Sequence, residues 1–372
     1  MKKLVVLISA RASYSRIRST LLNLQRRKRL EVQIVLSASA SSSKYGNLGE
    51  VILNDGLEIS WEIESQVDAS LNSAMAKTVG LTIFGLADYL NNSKADAIMI
   101  IADRHETIAG SIAGSYLGLK TFHVQGGEIT GNIDDKVRNA NTHLSDYHFV
   151  ANELAADRLQ TFGISENRIF ITGCPSLDVV KENKFAKSRI PELTGIGLAS
   201  ARVFEGNYLV VVQHAETTSA LPPQVQIDST IRAIDSMGIP ALWIWPNSDH
   251  GGETIIREIR RTRENGRLKL VHFERSIEPE LFLSILDGAS CIVGNSSVAL
   301  REGSFMGVPA VNIGGRQNNR LRGPNVVDVN YDPKDIHNAI VNQINKKRYS
   351  PEFLYGSGES GMLIAELLED LV

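Results

Sequence analysis

The sequence has few cysteines, no long apolar run and no strong excess of charge. Its 372 residues include only two cysteines, Cys174 and Cys291, which cannot form a disulfide framework and fit a reducing cytoplasm. The first apolar stretch, residues 4–8, is too short for a signal-peptide core or a membrane span. A net charge of −3 gives no general attraction to polyanions. We therefore expect a cytoplasmic protein that binds neither nucleic acid nor membrane.

Several common catalytic signatures are also missing. No Walker lysine motif and no G-x-G-x-x-G fingerprint follows a predicted strand, which argues against an NTPase and a standard nicotinamide enzyme. No G-x-S-x-G elbow is present, and no Cys or His group has the spacing of a zinc site. We therefore expect a site that works without a bound metal or cofactor.

What the sequence does contain is an alternation of short apolar runs and longer helical patterns, as in parallel α/β sheets. The predicted strands of the first half are residues 3–9, 33–36, 97–101, 121–124 and 147–150. Those of the second half are residues 208–212, 241–245, 268–271, 291–293 and 310–313. The predicted helices include residues 71–91, 104–117 and 153–161, one that carries the basic run 26–29 at its end, and one through Ile336, Ile340 and Ile344.

Two domains follow from the length and from a charged, aperiodic stretch at residues 181–189. The first α/β domain spans residues 1–180 and the second spans residues 181–372. A terminal amphipathic helix, with Leu363, Ile364 and Leu368 on one face, is expected to pack back on the first domain. The predicted fold class is two Rossmann-like, doubly wound α/β domains that face each other across a cleft.

Polar residues follow the strands in both halves, where parallel sheets bind ligands. In the first half they are Arg11, Asp103 to Glu106 and Glu128. In the second half they are His214, Asn247 and the run Gly294-Asn-Ser-Ser297. Two such edges suit a long ligand with a polar group at each end, such as a nucleotide sugar.

The sharpest local signal is the Gly294-Asn-Ser-Ser297 turn. Backbone N–H groups at a helix start, with the hydroxyls of Ser296 and Ser297, suit a phosphate. The alternative is an ordinary serine N-cap. Glu302 either accepts from ribose hydroxyls or is a solvated helix residue, and Arg316 either neutralises phosphates or lies on the surface.

Carboxylates that follow strands are candidates for proton transfer. They are Asp103, Glu128, Asp134 and Asp135, and each could instead cap a helix. His214 is the one histidine at the end of a predicted strand in the second half, and a lone histidine is often structural. His105 and His123 are interpreted as core or supporting groups.

At these residues the chain resembles the hydrolysing UDP-N-acetylglucosamine 2-epimerases of sialic-acid pathways, including the epimerase half of the bifunctional animal enzyme. In the first half the motifs are Arg11-Ala-Ser-Tyr14, Asp103-Arg-His-Glu106, His123-Val-Gln-Gly-Gly-Glu128, Ile133-Asp-Asp-Lys-Val-Arg138 and Gly173-Cys-Pro-Ser-Leu-Asp178. In the second half they are His214-Ala-Glu-Thr-Thr218, Trp245-Pro-Asn247, Gly294-Asn-Ser-Ser297, Arg301-Glu302 and Gly315-Arg-Gln317.

The resemblance implies a GT-B-like fold and a two-step reaction. UDP is eliminated across C1 and C2 to give a 2-acetamidoglycal, and water then adds with inverted configuration at C2. The resemblance implies that Ser296, Ser297, Arg11, Arg316 and His214 hold the diphosphate and that Glu302 holds the ribose. It implies that Asp103, Glu128 and Asp134 are acid and base candidates oriented by Arg138, with His214 counted among the catalytic group. Ser15, Arg104, Gln125 and Asn247 are expected to bind the substrate.

Three residues depart from the family pattern, and all three concern the sugar side. Gln125 stands where many relatives have a catalytic glutamate, and an amide cannot exchange protons as a carboxylate does. Ser13 replaces an acidic residue and Ala215 replaces a proline. The expected substrate is UDP-N-acetylglucosamine or a 2,4-diacetamido relative, bound by a homodimer or homotetramer. The alternatives are a GT-B-type glycosyltransferase and a nucleotide-sugar-binding protein without turnover.

Overall fold

The chain consists of two compact α/β units. The computed structural model describes residues 1–42, 47–67, 73–130, 133–182, 193–246, 251–275 and 277–372. The first unit comprises Met1–Glu128, Ile133–Val179 and Tyr355–Val372. The second unit comprises Ile129–Asn132 and Val180–Leu354. The last residues of the sequence therefore belong to the first unit.

The first unit is built on a seven-stranded parallel sheet in the order β3-β2-β1-β4-β5-β6-β7. Its strands are β1 (Lys2–Ile8), β2 (Leu30–Ser37), β3 (Ile59–Ile63), β4 (Ala97–Ile101), β5 (Lys120–Val124), β6 (Tyr147–Val150) and β7 (Ile169–Ile171). Leu4 and Val6 join the core on one face, whereas Val5 and Leu7 join the core on the other. Burial on both faces explains the continuous apolar runs in the sequence.

Helices cover both faces of this sheet. They are α1 (Arg11–Arg27), α2 (Leu48–Asn54), α3 (Ala74–Ser93), α4 (Ile108–Tyr116), α5 (Ile133–His143), α6 (Glu153–Thr161), α7 (Ser176–Glu182) and, at the end of the sequence, α14 (Ser360–Leu371). On one face α1 contributes Ile17 to the core, and on the other face α3 contributes Leu86. The unit therefore has the layered architecture of doubly wound folds.

Helix α14 is an integral part of the first unit. Ile364 and Leu368 are fully buried in the same core as Ile17 of α1. The carboxylate of Asp178 accepts hydrogen bonds from the backbone N–H groups of Ser360 (2.9 Å) and Gly361 (2.6 Å) and so caps the helix.

One residue of α14 is exposed although it was predicted to be buried. Leu363, predicted on the buried face, is exposed. The basic run at the end of α1 has a specific partner, since Arg27 forms salt bridges with Glu366 (3.1 Å) and Glu369 (2.9 Å). These contacts join the two helices at their surface.

The second unit has a seven-stranded sheet in the order β14-β13-β12-β9-β10-β11-β8. Its strands are β8 (Ile196–Gly197), β9 (Leu209–Val212), β10 (Ala241–Ile244), β11 (Val271–Glu274), β12 (Cys291–Gly294), β13 (Ala310–Ile313) and β14 (Val326–Val329). All pairs are parallel except that of β8 with β11. The short antiparallel β8 was not predicted.

The helices of the second unit also lie on both faces of its sheet, which are filled by two separate cores. They are α8 (Ser200–Val203), α9 (Pro223–Met237), α10 (Gly252–Glu264), α11 (Pro279–Gly288), α12 (Glu302–Met306) and α13 (Pro333–Lys346). No helix within the described ranges is long and apolar enough to cross a membrane.

Strand order places the predicted polar residues at the points where each sheet reverses its winding. In the first unit β1 lies between β2 and β4, so the turns after β1 and β4 bring α1 and Asp103 to the same edge. In the second unit β9 lies between β12 and β10, so His214 and Gly294 follow adjacent strands. Ligands of open α/β sheets bind at such positions.

Candidate functional site

The buried guanidinium of Arg138, on α5, lies at the centre of the polar residues that follow the strands of the first unit. It donates to one carboxylate oxygen of Asp103, to Oδ1 of Asp135 (2.5 Å) and to the backbone carbonyl of Glu128 (2.6 Å). Burial works against the charged guanidinium, but the carboxylates of Asp103, Glu128 and Asp135 outweigh it and raise the pKa of Arg138. Arg138 therefore holds three acidic residues of the predicted site in one place.

Asp103 is held from a second side by α1. A guanidinium nitrogen of Arg16 lies 3.8 Å from the other carboxylate oxygen of Asp103. With Arg138 at Oδ2 and Arg16 near Oδ1, the carboxylate stands between two cations. Such neighbours favour the ionised form of a carboxyl group, which is the form that acts as a base.

Arg104 and His105 share one buried partner, Glu106. The guanidinium of Arg104 donates to Oε1 of Glu106 at 3.1 and 3.3 Å, and Nδ1 of His105 lies 3.4 Å from Oε2. Glu106 is fully buried. The predicted substrate-binding role of Arg104 therefore depends on a carboxylate that the sequence analysis passed over inside the motif.

His123 supports the turn that carries Asp103. Its Nε2 lies 3.0 Å from the carbonyl oxygen of Ala102, a residue with a positive φ of 62°, and its Nδ1 lies 3.3 Å from the hydroxyl of Thr142. Burial lowers the pKa of His123 to about 4, although the hydrogen bond to Ala102 acts in the opposite direction. His123 is therefore a neutral supporting residue, in agreement with its interpretation from the sequence.

Gln125 makes an unexpected contact. The residue is buried and has a positive φ of 67° at the end of β5. Its side-chain amide donates to the sulfur of Cys174 at 2.8 Å, and that sulfur lies 3.1 Å from the hydroxyl of Ser176. The amide at the position where the family pattern has a glutamate thus donates to a cysteine sulfur, which is a weak acceptor.

The remaining predicted residues of the first unit lie at the starts of α1 and α5. Arg11 is the first residue of α1, and the hydroxyl of Ser15 donates to the Arg11 carbonyl at 3.1 Å. Asp134 lies in the first turn of α5, one residue before Asp135. Asp135 accepts a hydrogen bond from Arg138 at 2.5 Å.

In the second unit, the side chain of Asn295 connects the turns that follow β9 and β12. Its Oδ1 accepts from the backbone N–H of His214 (2.8 Å), and its Nδ2 donates to the His214 carbonyl (2.9 Å). Gly294 allows this approach, because a Cβ there would lie 2.1 Å from the carbonyl oxygen of Val212 at a φ of 132°. His214 is therefore fixed against the Gly294 turn.

Arg316 joins the same cluster through the backbone of Asn295. A guanidinium nitrogen of Arg316 donates to the Asn295 carbonyl at 3.2 Å, and the side-chain amide of Gln317 donates to it at 2.8 Å. The structure thus brings His214, Arg316 and the Gly294 turn together around one asparagine. Asn247, also predicted here, lies outside the described residues.

At the serine turn the structure shows the N-cap contact, one of the two interpretations that the sequence left open. The hydroxyl of Ser296 accepts from the backbone N–H of Val298 at 3.4 Å, so it caps a short 3₁₀ turn, Ser297–Ala299. The α-helix expected at this point starts only at Glu302, the first residue of α12. Within the described part of the chain, one buried carboxylate oxygen of Glu302 has no hydrogen-bond partner.

Two residues whose buried side chains hold their neighbours in place could not be recognised from the sequence. Glu106 and Asn295 stand inside recognised motifs, and their burial is the property that a sequence does not display. Among the described residues, no three His, Cys, Asp or Glu side chains come together as ligands for a metal ion. The polar groups at these edges suit anion binding in the second unit and proton transfer in the first.

Curated relatives match almost the whole chain. A UDP-N-acetylglucosamine 2-epimerase of Neisseria meningitidis serogroup B is 29% identical over 361 residues, covering 97% of this chain and 92% of that protein. A UDP-N,N'-diacetylbacillosamine 2-epimerase (hydrolyzing) of Legionella pneumophila is 28% identical over 372 residues, covering 100% of this chain and 96% of that protein.

A solved structure confirms the predicted fold class. The UDP-GlcNAc 2-epimerase of Methanocaldococcus jannaschii, crystallised with UDP-GlcNAc and UDP, matches with a TM-score of 0.81 and 16% identity over 98% of this chain and 99% of that one. The fold is GT-B-like, with two Rossmann-like α/β domains. The family model for UDP-N-acetylglucosamine 2-epimerase matches residues 22–369. The chain therefore belongs to the UDP-N-acetylglucosamine 2-epimerase family, as its sequence motifs indicated.

Proposed function

We propose that the protein is a hydrolysing 2-epimerase. It converts a UDP-activated N-acetylhexosamine, either UDP-N-acetylglucosamine or a 2,4-diacetamido relative, to UDP and a free N-acetylmannosamine-type sugar for nonulosonic acid synthesis. The observation that carries the proposal is the cluster in which Arg138 gathers Asp103, Asp135 and the Glu128 backbone. Membership of the family and the hydrolyzing relative that matches the full chain support it.

The second unit, in this proposal, binds the nucleotide. Arg316 and His214 supply the cationic and N–H groups for the diphosphate, and the turn at Ser296 and Ser297 adds hydroxyl and backbone donors. Glu302 accepts from the ribose hydroxyls, and its unpartnered carboxylate oxygen supports that role. Arg11, at the start of α1, is assigned to the diphosphate as well.

The first unit supplies the acid and base groups. A carboxylate among Asp103, Glu128 and Asp134 removes the C2 proton while the C1–O bond breaks and the electron pair leaves with UDP. The C1=C2 double bond of the glycal then takes up water, with the hydroxyl bonding to C1 and a proton to the opposite face of C2. Arg138 positions these carboxylates throughout, and stabilisation of the leaving diphosphate by cations lowers the barrier to elimination.

The test is to incubate the purified protein with UDP-N-acetylglucosamine or UDP-N,N'-diacetylbacillosamine in D₂O and to follow the products by NMR. The expected products are UDP and a free sugar with inverted configuration and deuterium at C2. A C2-inverted sugar that remains attached to UDP would identify a non-hydrolysing epimerase and contradict the proposal. Release of no UDP from either substrate would contradict it as well.

A second candidate is a nucleotide-sugar-binding protein without turnover. It is favoured by Gln125, whose buried amide is bonded to Cys174 where the family pattern has a carboxylate. This candidate predicts binding of UDP in a calorimeter with no product in the NMR assay. Product formation would rule it out.

We also propose that the protein acts in the cytoplasm as a homodimer or homotetramer. Both cysteines are free and buried, as suits a reducing compartment. Phe84 of α3 and Tyr116 of α4 are large apolar side chains that are 75% and 84% exposed in the single chain, which supports self-association. Light scattering of the purified protein is expected to give the mass of two or four chains, and a monomeric mass would contradict this proposal.

A further inference from the structure

Glu216 lies in the second unit, two residues after His214, and it contacts the loop that carries Arg316. Its Oε2 accepts from the backbone N–H of Gly315 at 2.9 Å and from the phenol of Tyr331 at 2.9 Å. One carboxylate oxygen therefore ties the segment after β9 to two loops that follow other strands. No role for this residue follows from the sequence alone.

The loop around Gly315 is shaped to receive this carboxylate. A Cβ at Gly314 would lie 2.6 Å from Oε2 of Glu216, and a Cβ at Gly315 would lie 2.8 Å from Oε1. Gly314 also has a positive φ of 75°, which disfavours larger residues. The two glycines that precede Arg316 thus leave the space that the Glu216 side chain fills.

The backbone of Glu216 is itself fixed by a buried amide. Gln226, on α9, accepts from the Glu216 N–H at 2.9 Å and donates to the Glu216 carbonyl at 3.1 Å. Gln226 is fully buried and also donates to the carbonyl of Leu221 at 2.7 Å. The carboxylate is therefore presented to the Gly315 loop from a rigid support.

This contact completes a set of hydrogen bonds that links the residues proposed to bind the diphosphate. Asn295 fixes the backbone of His214, and Arg316 donates to the Asn295 carbonyl. Glu216 fixes the residue immediately before Arg316. Without it, Arg316 keeps its bond to Asn295 and the loop keeps the backbone bonds from Gly314 to Val329 and from Asn318 to Gly315, but the Gly315 N–H loses its acceptor.

We propose that Glu216 is a positioning residue for diphosphate binding, which orients the Gly315 and Arg316 backbone relative to His214. A carboxylate near an anion site would normally weaken binding by repulsion. Here its charge is taken up by the N–H of Gly315 and the O–H of Tyr331. This role rests on the nucleotide-binding part of the proposed function and extends it to a residue that does not touch the ligand.

The experiment compares the affinities of the full chain for UDP and for uridine by calorimetry. Glu216→Ala is expected to raise the Kd of UDP about tenfold, because the Gly315 N–H loses its acceptor, and to leave the Kd of uridine within about twofold. Glu216→Gln is expected to stay within about threefold of the wild type, because an amide oxygen can accept both hydrogen bonds. Glu264→Ala, on the exposed surface of α10, is the matched control and is expected to change neither constant.

Three results would overturn the proposal. The first is a Glu216→Ala variant that binds UDP as tightly as the wild type. The second is an equal loss of UDP and uridine affinity, which would indicate general loss of structure. The third is a Glu216→Gln variant as weak as Glu216→Ala. Binding is measured without turnover, so failure of the NMR assay leaves this proposal standing, whereas a wild-type chain that does not bind UDP overturns the nucleotide role itself.

Discussion

The two units present different chemistry at the carboxyl ends of their strands. In the first unit a buried guanidinium, that of Arg138, holds the carboxylates of Asp103 and Asp135 by ion pairs. In the second unit the turns are held by neutral amides, chiefly Asn295 and Gln317, which bond to backbone groups. Ion pairs hold titratable carboxylates in positions that suit proton transfer. Amides fix the backbone without adding charge, so they do not neutralise cations that could bind an anion.

The largest effect is expected at the charged edge. Asp103→Asn removes a proton-accepting group and should lower kcat about a thousandfold. The Kd of UDP should change by less than about twofold, because the proposed function assigns most of the nucleotide contacts to the second unit and none of them to Asp103. Turnover is measured by UDP release and affinity by calorimetry, and Asp157→Asn on the exposed side of α6 is the control. A comparable loss of UDP affinity would show that Asp103 serves the nucleotide instead.

The buried histidines of the first unit should make it sensitive to acid. Burial lowers the pKa of His123 to about 4 and that of His148 to about 3, whereas an unfolded histidine titrates near 6.5. Their contribution to stability is therefore complete above pH 6.5 and is lost as the pH falls towards 4. His123 alone should reduce the free energy of unfolding by about 2 kcal/mol between pH 7 and pH 5.

Urea unfolding at the two pH values measures this effect. The variant His123→Gln should show a smaller loss of stability on acidification than the wild type, since its side chain does not titrate. His143→Gln removes an exposed histidine and should retain the wild-type loss. Equal pH dependence in the wild type and His123→Gln would contradict the prediction.

At the amide-held edge, Asn295→Ala should weaken UDP binding about tenfold, because the backbone N–H and carbonyl of His214 both lose their partner. The measurement is calorimetry with UDP. Asn338→Ala, on the exposed surface of α13, is the control. Unchanged UDP affinity in Asn295→Ala would mean that the backbone of the two turns holds itself in place.

The smallest effect is expected at Gln125. Gln125→Glu exchanges the amide donor to Cys174 for a carboxyl group, and turnover should stay within about threefold of the wild type, with the Kd of UDP unchanged. Gln160→Glu, exposed on α6, is the control. A more than tenfold gain in turnover would instead favour the candidate that binds nucleotide sugars without turnover.

The strands that were predicted with the observed bounds have both faces buried. They are residues 97–101, 147–150 and 310–313, where a short continuous apolar run is typical of a buried parallel strand. The helix at residues 153–161 also has the predicted bounds, although one of its sides is exposed. The edge strands β3, β7 and β14 were missed, since they are short and partly exposed.

The predicted bounds of one strand were wrong, because the observed strand contains buried polar residues. The prediction placed it at residues 268–271, whereas β11 runs over Val271–Glu274. His272 and Glu274 look like loop residues, but both are buried because Nδ1 of His272 lies 2.7 Å from the Leu198 carbonyl and Glu274 accepts from Gly195 N–H at 2.8 Å. Leu268, with a positive φ of 56°, belongs to the preceding turn.

For the candidate site, the sequence identified the groups that follow strands but not their partners. Asp103 and His214 were predicted from their positions after strands, and Arg138 was predicted from the resemblance to the family. The bond of Arg138 to Asp135 depends on the exact rotation of α5, and the contact of Glu216 with Gly315 joins residues 99 positions apart. Neither property is visible in local periodicity.

The docking of α14 against α1 has a consequence for the order of synthesis. Ile364 and Leu368 fill part of the same apolar core as β1 and α1, yet they leave the ribosome after the entire second unit. The first unit therefore cannot complete its core until residues made after the whole of the second unit have joined it, although its first strand is made at the start of translation.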